Sequence, residues 1–232
     1  MMDFTVHYDI ENFKGYPDVL IEGEEVVMTE KLHGSFCGVG VVPPQEGNDK
    51  HWDGRVVIFS KGLGSRGLCL LNTPNNANNT YVRTLMSNDL FENLKTVART
   101  MSRDVEPVFF LGEVYGPGIQ DLRYSDKLSF RVFDMCMGRR GNQKYFSYEE
   151  MKRTCSAFGF DMVPELYRGP FSVDVMKQHT DGKETVSGQE MHIREGIVIK
   201  PAVERTHEGL GRVILKSVSE AYLLRKNGTE FN

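Results

Sequence analysis

The sequence is poor in cysteine, has no long apolar run and shows no strong excess of either charge. Its four cysteines, Cys37, Cys69, Cys136 and Cys155, form no CxxC pair. That argues against a zinc knuckle and against the disulfide framework of a small secreted domain, and it fits reduced cytosolic thiols. No stretch of about 18 apolar residues occurs, so no transmembrane helix is expected. Met1 to Phe13 carries three acids and no apolar h-region, which is not the pattern of a signal peptide. The six histidines are scattered without metal-ligand spacing. HExxH, Walker A and GxSxG motifs are missing.

What is there is globular. Apolar residues make up 40%, aromatic 10% and charged 26% of the 232 residues, values that exclude a disordered tail, a collagen-like repeat or a coiled coil. A chain of this length buries about 70% of its unfolded surface and makes one large domain or two small ones. The net charge of −4 is uneven: residues 1–30 hold eight acids and one Lys, which leaves +3 for the rest. A mildly basic body can meet phosphates but lacks the excess of a general nucleic-acid binder.

β-branched and apolar runs predict strands at Val26 to Leu32, Ser35 to Val42 and Arg55 to Ser60, the last two antiparallel around a turn-rich loop at Pro43 to Asp49. Further strands are predicted at Val108 to Tyr115, Leu128 to Met135, Glu195 to Lys200 and Arg212 to Val218. Helical spacing runs from Tyr81 to Met101. Ser147 with Glu150 is a capping-box signal opening a helix to about Phe158, and Ser219 caps a last helix through Arg225. Asn72 to Thr80, with five Asn, reads as a surface loop. The pattern is α+β with mostly antiparallel sheets flanked by helices.

Gly62-Leu63-Gly64-Ser65-Arg66-Gly67 matches GxGxxG, but no helix pattern follows it and no acid appears before Asp89, so a turn that lets backbone approach a ligand is preferred to a dinucleotide site. More informative is Thr29-Glu30-Lys31-Leu32-His33-Gly34. Lys31 ends an apolar strand just before a glycine. Partial desolvation there favours the neutral, nucleophilic amine, and Gly34 removes a side chain where a ligand would approach. Alone, such a string is commonly a snorkelling strand-end Lys. Its companions change the weighing. Gly112 to Gln120 places Glu113 on a buried strand, Phe133 follows 20 residues later, and Glu195, Lys200 and Lys216 follow in order on late strands.

In these residues the sequence resembles the covalent nucleotidyltransferase superfamily, and more closely its RNA ligase 2 family, over about Glu30 to Lys216. The Lys-x-His-Gly string favours this family, since DNA ligases and capping enzymes usually have Asp at the position of His33. The resemblance implies an ATP-grasp-like ligase nucleotidyltransferase domain spanning 1–232; relatives carry an additional domain, but with so few residues after Lys216 no additional C-terminal or OB domain is expected here. It implies an ATP-dependent RNA ligase in which Lys31 takes AMP covalently from ATP, passes it to an RNA 5′-phosphate and lets a 3′-hydroxyl displace it. Magnesium or manganese would neutralise the triphosphate. Glu195 is then the metal residue, Lys200 and Lys216 the phosphate clamps, Glu113 a ribose acceptor and Phe133 the adenine stack. Main-chain groups around Glu30 and Leu32, with His33 and Gly34, line the nucleotide, and Lys61 or Arg66 meets the ribose or 5′-phosphate. The partners implied are ATP, RNA with 5′-phosphate and 3′-hydroxyl ends and an accessory domain or protein. A monomer, cytoplasmic or phage-encoded and away from membranes, is expected. Departures from the family pattern are Lys61–Gly62 where an Arg is usual, Phe36 in place of Asn, Val218 in place of a second Lys, and only 16 residues after Lys216. The rival readings are a DNA ligase or capping enzyme, or a nucleotide- or RNA-binding domain that does not seal.

Overall fold

The structure, a computed structural model, describes residues 4–44, 55–61, 69–70, 74–100, 106–226 and 228. The chain divides into two compact units, each assembled from separated segments: residues 1–8, 35–114 and 127–162 in one, and 9–34, 115–126 and 163–232 in the other.

The first unit is built on a six-stranded sheet of order β5-β4-β3-β6-β7-β8, with β3 at Ser35–Val41, β4 at Val56–Ser60, β5 at Cys69–Leu70, β6 at Val108–Tyr115, β7 at Ser129–Met137 and β8 at Lys144–Tyr145. β3 pairs antiparallel with both β4 and β6. One face of the sheet carries a ladder of rings made possible by two glycines. Gly38 and Gly40 alternate with apolar residues on β3, and the Phe59 ring lies where a Cβ on Gly38 would be, 2.1 Å from it. Phe109 fills the space over Gly40 in the same way, and the two rings meet edge-on at 5.8 Å. Both are fully buried.

The helical periodicity from Tyr81 is real but broken: α1 spans Thr80–Ser87 and α2 Leu90–Thr100. Asn88 Nδ2 donates back to Thr84 O and across to Leu128 O. Asp89 takes φ 56°, and its carbonyl accepts from Glu92 and Asn93 to begin the second helix. The capping box is as expected: Ser147 opens α3, Tyr148–Phe158, which Gly159 ends in a left-handed turn.

The second unit holds a five-stranded sheet of order β1-β13-β10-β2-β9, with β1 at Glu11–Asn12, β2 at Glu25–Lys31, β9 at Glu165–Pro170, β10 at Gly196–Pro201 and β13 at Leu215–Val218. β2 lies between β9 and β10, antiparallel to both. Val26, Met28, Ile197, Ile199 and Leu215 point to one face and make the core with Phe13, Phe171 and Met176. Met176 comes from α4, Val173–Thr180. β11 (Thr206–His207) and β12 (Gly211–Arg212) form a separate hairpin. The last helix, α5, is only Glu220–Leu223; Ser219 caps it as expected, but it stops short of Arg225. The strand predicted from Arg212 begins at Leu215 instead.

The GxGxxG string and most of the loop after Pro43 lie outside the described residues. Among the described residues Cys37, Cys136 and Cys155 are buried and in no disulfide. Burial, with Glu113 nearby, pushes the Cys37 thiol up, and burial pushes that of Cys155 up to about 12, so both stay protonated. Among the described residues no helix is long and apolar enough to cross a membrane.

Candidate active site

The second unit brings three of the expected residues together. Lys31 is the last residue of β2 and lies opposite Gly196 of β10. Its Nζ donates to Glu195 Oε1 at 2.5 Å. Gly196 makes this pairing possible: it has φ 153°, and a Cβ there would sit 2.1 Å from Ser217 O. The Glu195 carbonyl is held by Ser219 N at 2.8 Å. Its second carboxylate oxygen, Oε2, is buried without a hydrogen-bond partner among the described residues and lies 3.8 Å from His33 Nδ1.

His33 is 6% exposed and is gripped on every side. Nε2 meets Asp121 Oδ1 at 2.8 Å, Nδ1 meets the Tyr222 hydroxyl at 2.8 Å, and the backbone N–H donates to the Tyr124 hydroxyl at 2.9 Å. With the imidazole proton on Nε2 and directed at the carboxylate, Nδ1 accepts from Tyr222. Arg225 closes the group: its guanidinium donates twice to Asp121 and lies 3.7 Å from the centre of the Tyr222 ring. The hydrogen bond to Asp121 and that charge hold the guanidinium above its ordinary value, against a smaller opposing effect of burial. Gly34 O accepts from Gln120 Nε2 at 3.2 Å. The sequence pointed to Gln120 within a motif but gave no sign of Asp121, Tyr124, Tyr222 or Arg225. They meet His33 across 88 to 192 positions of chain, and local spacing carries no trace of such contacts.

Glu30 points to the opposite face from Lys31 and is 1% exposed. Burial raises its carboxyl above the usual range, although Thr185 donates to it from both N and Oγ1. Its own N–H is taken by Pro164 O. Thr185 sits on a turn braced by Glu184, a fully buried carboxylate that accepts from Ser187 N, Ser187 Oγ and Met191 N. Leu32 is buried.

The two late lysines part company. Val218 lies opposite Gly196, which lies opposite Lys31, so Lys216, two residues before Val218, shares the Lys31 face of the sheet. Lys200 is on that face too, but four residues along β10, about 13 Å away. It is 4% exposed and pairs with Glu204 at 3.9 Å.

In the first unit Glu113 is half-buried on β6, directly opposite Phe36 of β3. Phe133, half-buried on β7, lies 6.0 Å from Phe36 and 5.2 Å from Tyr8, ring centre to ring centre. Glu113, Phe36 and Phe133 thus share a sheet face. Tyr8 was not foreseen; it stacks on Phe36 at 6.0 Å and donates to the fully buried Asp134. Lys61 is exposed just past β4, and Arg66 lies outside the described residues.

A carboxylate and an amine paired at a strand end, with one carboxylate oxygen unclaimed, form a donor set for a polyanion and a hard cation. The family model for RNA ligase matches residues 24–218, and the chain belongs to that family. Among solved structures, a Naegleria gruberi RNA ligase with PPi matches with a TM-score of 0.69 at 20% identity, over 95% of this chain and 57% of that one. A lysine-to-alanine variant of that ligase with ATP and Mn gives 0.66 at 19%, over 95% and 58%. A glutamate-to-alanine variant with AMP and Mn gives 0.66 at 19%, over 95% and 57%. At this identity the likeness establishes the fold, and the chain spans less than three fifths of those proteins. No curated protein matches the chain in sequence. Family and fold together support a ligase-type function.

Proposed function

We propose that residues 1–232 form the nucleotidyltransferase domain of an ATP-dependent RNA ligase and that Lys31 is its nucleophile. The observation that carries this is the 2.5 Å bond between Lys31 Nζ and Glu195 Oε1 at the paired ends of β2 and β10. In the first step the neutral amine of Lys31 forms a bond to the α-phosphorus of ATP. The bond from that phosphorus to the bridging oxygen breaks, its electron pair leaves with pyrophosphate, and the nitrogen gives up a proton. AMP stays on Lys31 as a phosphoramidate, moves to an RNA 5′-phosphate, and is displaced when a 3′-hydroxyl attacks.

The chain's own residues have distinct parts. Glu195 orients the amine through Oε1. Its unpartnered Oε2 suits a magnesium or manganese ion that takes its other ligands from water and phosphate. Such an ion, when bound, supplies charge neutralisation of the triphosphate. Among the described residues there is no cluster of three or more His, Cys, Asp or Glu able to hold a metal, so one carboxylate is the protein's share. Lys216, on the Lys31 face, is the phosphate clamp. Lys200, on the same face and paired with Glu204, is the second clamp. Glu113 serves as ribose acceptor and Phe133 as adenine stack, with main-chain groups of Glu30 and Leu32 toward the base and Lys61 or Arg66 toward the phosphate. His33, fixed by Asp121, Tyr222 and Tyr124, holds the Gly34 backbone in place. Val218, opposite Gly196, replaces a usual Lys by an apolar side chain beside this site. That favours, as a second reading, a domain that adenylates itself but seals poorly alone.

The test is intact mass before and after incubation with ATP and magnesium. A gain of one adenylate that vanishes in Lys31→Ala is expected. Labelling retained in Lys31→Ala removes Lys31 as nucleophile; no labelling of the wild type with ATP, GTP or NAD means that these residues alone do not adenylate themselves, because a further domain is needed for the first step or because the fold serves binding only.

A further inference from the structure

We infer that a cavity at the β8 edge of the six-stranded sheet binds one phosphodiester and the adjoining base of an RNA strand. The cavity measures about 350 Å³. Lys144, Tyr145 and Phe146 line it from β8 and its exit, and Glu150, Arg153 and Thr154 line it from α3. The three α3 positions are spaced i, i+3 and i+4, so they present one helix face to the hairpin. Exposed cations on two separate elements thus flank half-buried rings, the combination that holds a strand by its phosphate and by stacking.

The charge suits a single phosphodiester. Glu150 is the one carboxylate of the lining, and it is committed to the helix start, accepting from Ser147 N at 2.8 Å. With Lys144 and Arg153 it leaves a net +1, too little for a triphosphate and enough for one backbone phosphate. The surroundings extend the track. Between 139 and 153 the chain has five cations and two carboxylates, although the whole chain is at −4. Arg139 lies over the Phe4 ring at 5.4 Å and Arg140 reaches Thr5 Oγ1 at 3.4 Å, so both are seated on the N-terminal segment. None of these residues has a part in adenylate transfer. The choice of RNA as the polyanion rests on the RNA ligase reading.

The experiment measures binding of a fluorescent 20-nucleotide RNA by anisotropy across a salt series, alongside adenylate labelling of the same samples. The double variant Lys144→Ala/Arg153→Ala is compared with wild type and with Lys177→Ala/Lys183→Ala, which removes the same charge from the other unit. Expected are a tenfold or greater loss of affinity and a salt slope lowered by about 0.7, the value for one single-strand phosphate contact, with labelling unchanged. Equal losses in both double variants, or affinity within twofold of wild type, overturn the site. A loss that a polyglutamate competitor reproduces points to an acidic protein surface and overturns RNA as its ligand. Should the Ala pair melt early, Lys144→Gln/Arg153→Gln is read by the same criteria. Absent labelling together with a selective loss of RNA affinity would sink the adenylate reading and keep this one.

Discussion

Replacing Asp121 by Asn keeps the side chain's shape and removes its charge. Asp121 Oδ1 accepts from His33 Nε2 and Arg225 Nη2, and Oδ2 accepts from Arg225 Nε. An amide offers one acceptor oxygen, so its NH₂ must face either the imidazole or the guanidinium. If the oxygen stays with Arg225 Nε, the NH₂ donates to Nε2 and drives the imidazole proton to Nδ1, which then donates to the Tyr222 hydroxyl. If it stays with His33, the NH₂ opposes Arg225 Nε. One charge-assisted hydrogen bond is lost either way, about 1–2 kcal/mol after allowing for the partial solvation of Asp121. That loss lowers the melting temperature by about 2–8 °C for a chain of this size. Calorimetry measures the shift, and ¹⁵N shifts of the His33 ring report the tautomer. Tyr222→Phe, which empties the other side of the ring, should leave the Nε2–H form in place. A melting temperature within 1 °C of wild type and an unchanged tautomer in Asp121→Asn would refute the view that this carboxylate holds His33.

Glu184→Gln removes a buried carboxylate. Burial raises that carboxyl, but the donors of Ser187 and Met191, with His192 nearby, outweigh it and hold it below 4.5. A lowered value means stability that is present above about 4.5 and lost as pH falls below it. The gap in melting temperature between wild type and variant should therefore be widest at neutral pH and narrow below 4.5; a constant gap speaks against the assignment. Gly38→Ala puts a methyl 2.1 Å from the Phe59 ring and should cost about 1–3 kcal/mol by overpacking. Gly15→Ala, with nothing within 4 Å, should be close to neutral in the same melt.

The parts legible in the sequence are those governed by neighbours in the chain. Val108–Tyr115 is continuously apolar up to Gly112 and becomes a central strand, and Ser147 and Glu150 cap α3 through groups three residues apart. β9 went unseen because Glu165–Pro170 is half-exposed and holds a Gly and a Pro; pairing with β2 makes it a strand. The break at Asn88–Asp89 was invisible because the apolar spacing runs straight through it, while the side chain that stops α1 bonds to Leu128 O, 40 residues away. Lys31, His33 and Glu195 were found from a family pattern. The grip on His33 comes from Tyr124, which the pattern does not name, and from Asp121, Tyr222 and Arg225, which it does not reach.

The pairing of Lys31 with Glu195 spans 164 positions. β2 is flanked by β9 and β10, so on a ribosome its edges stay bare until those much later strands have emerged. Neither compact unit is a continuous stretch, and the segment bearing Lys31 must wait through the synthesis of most of the other unit. Such non-local closure is slow compared with helix formation. Lys31 is made well before the strands that fix it in place.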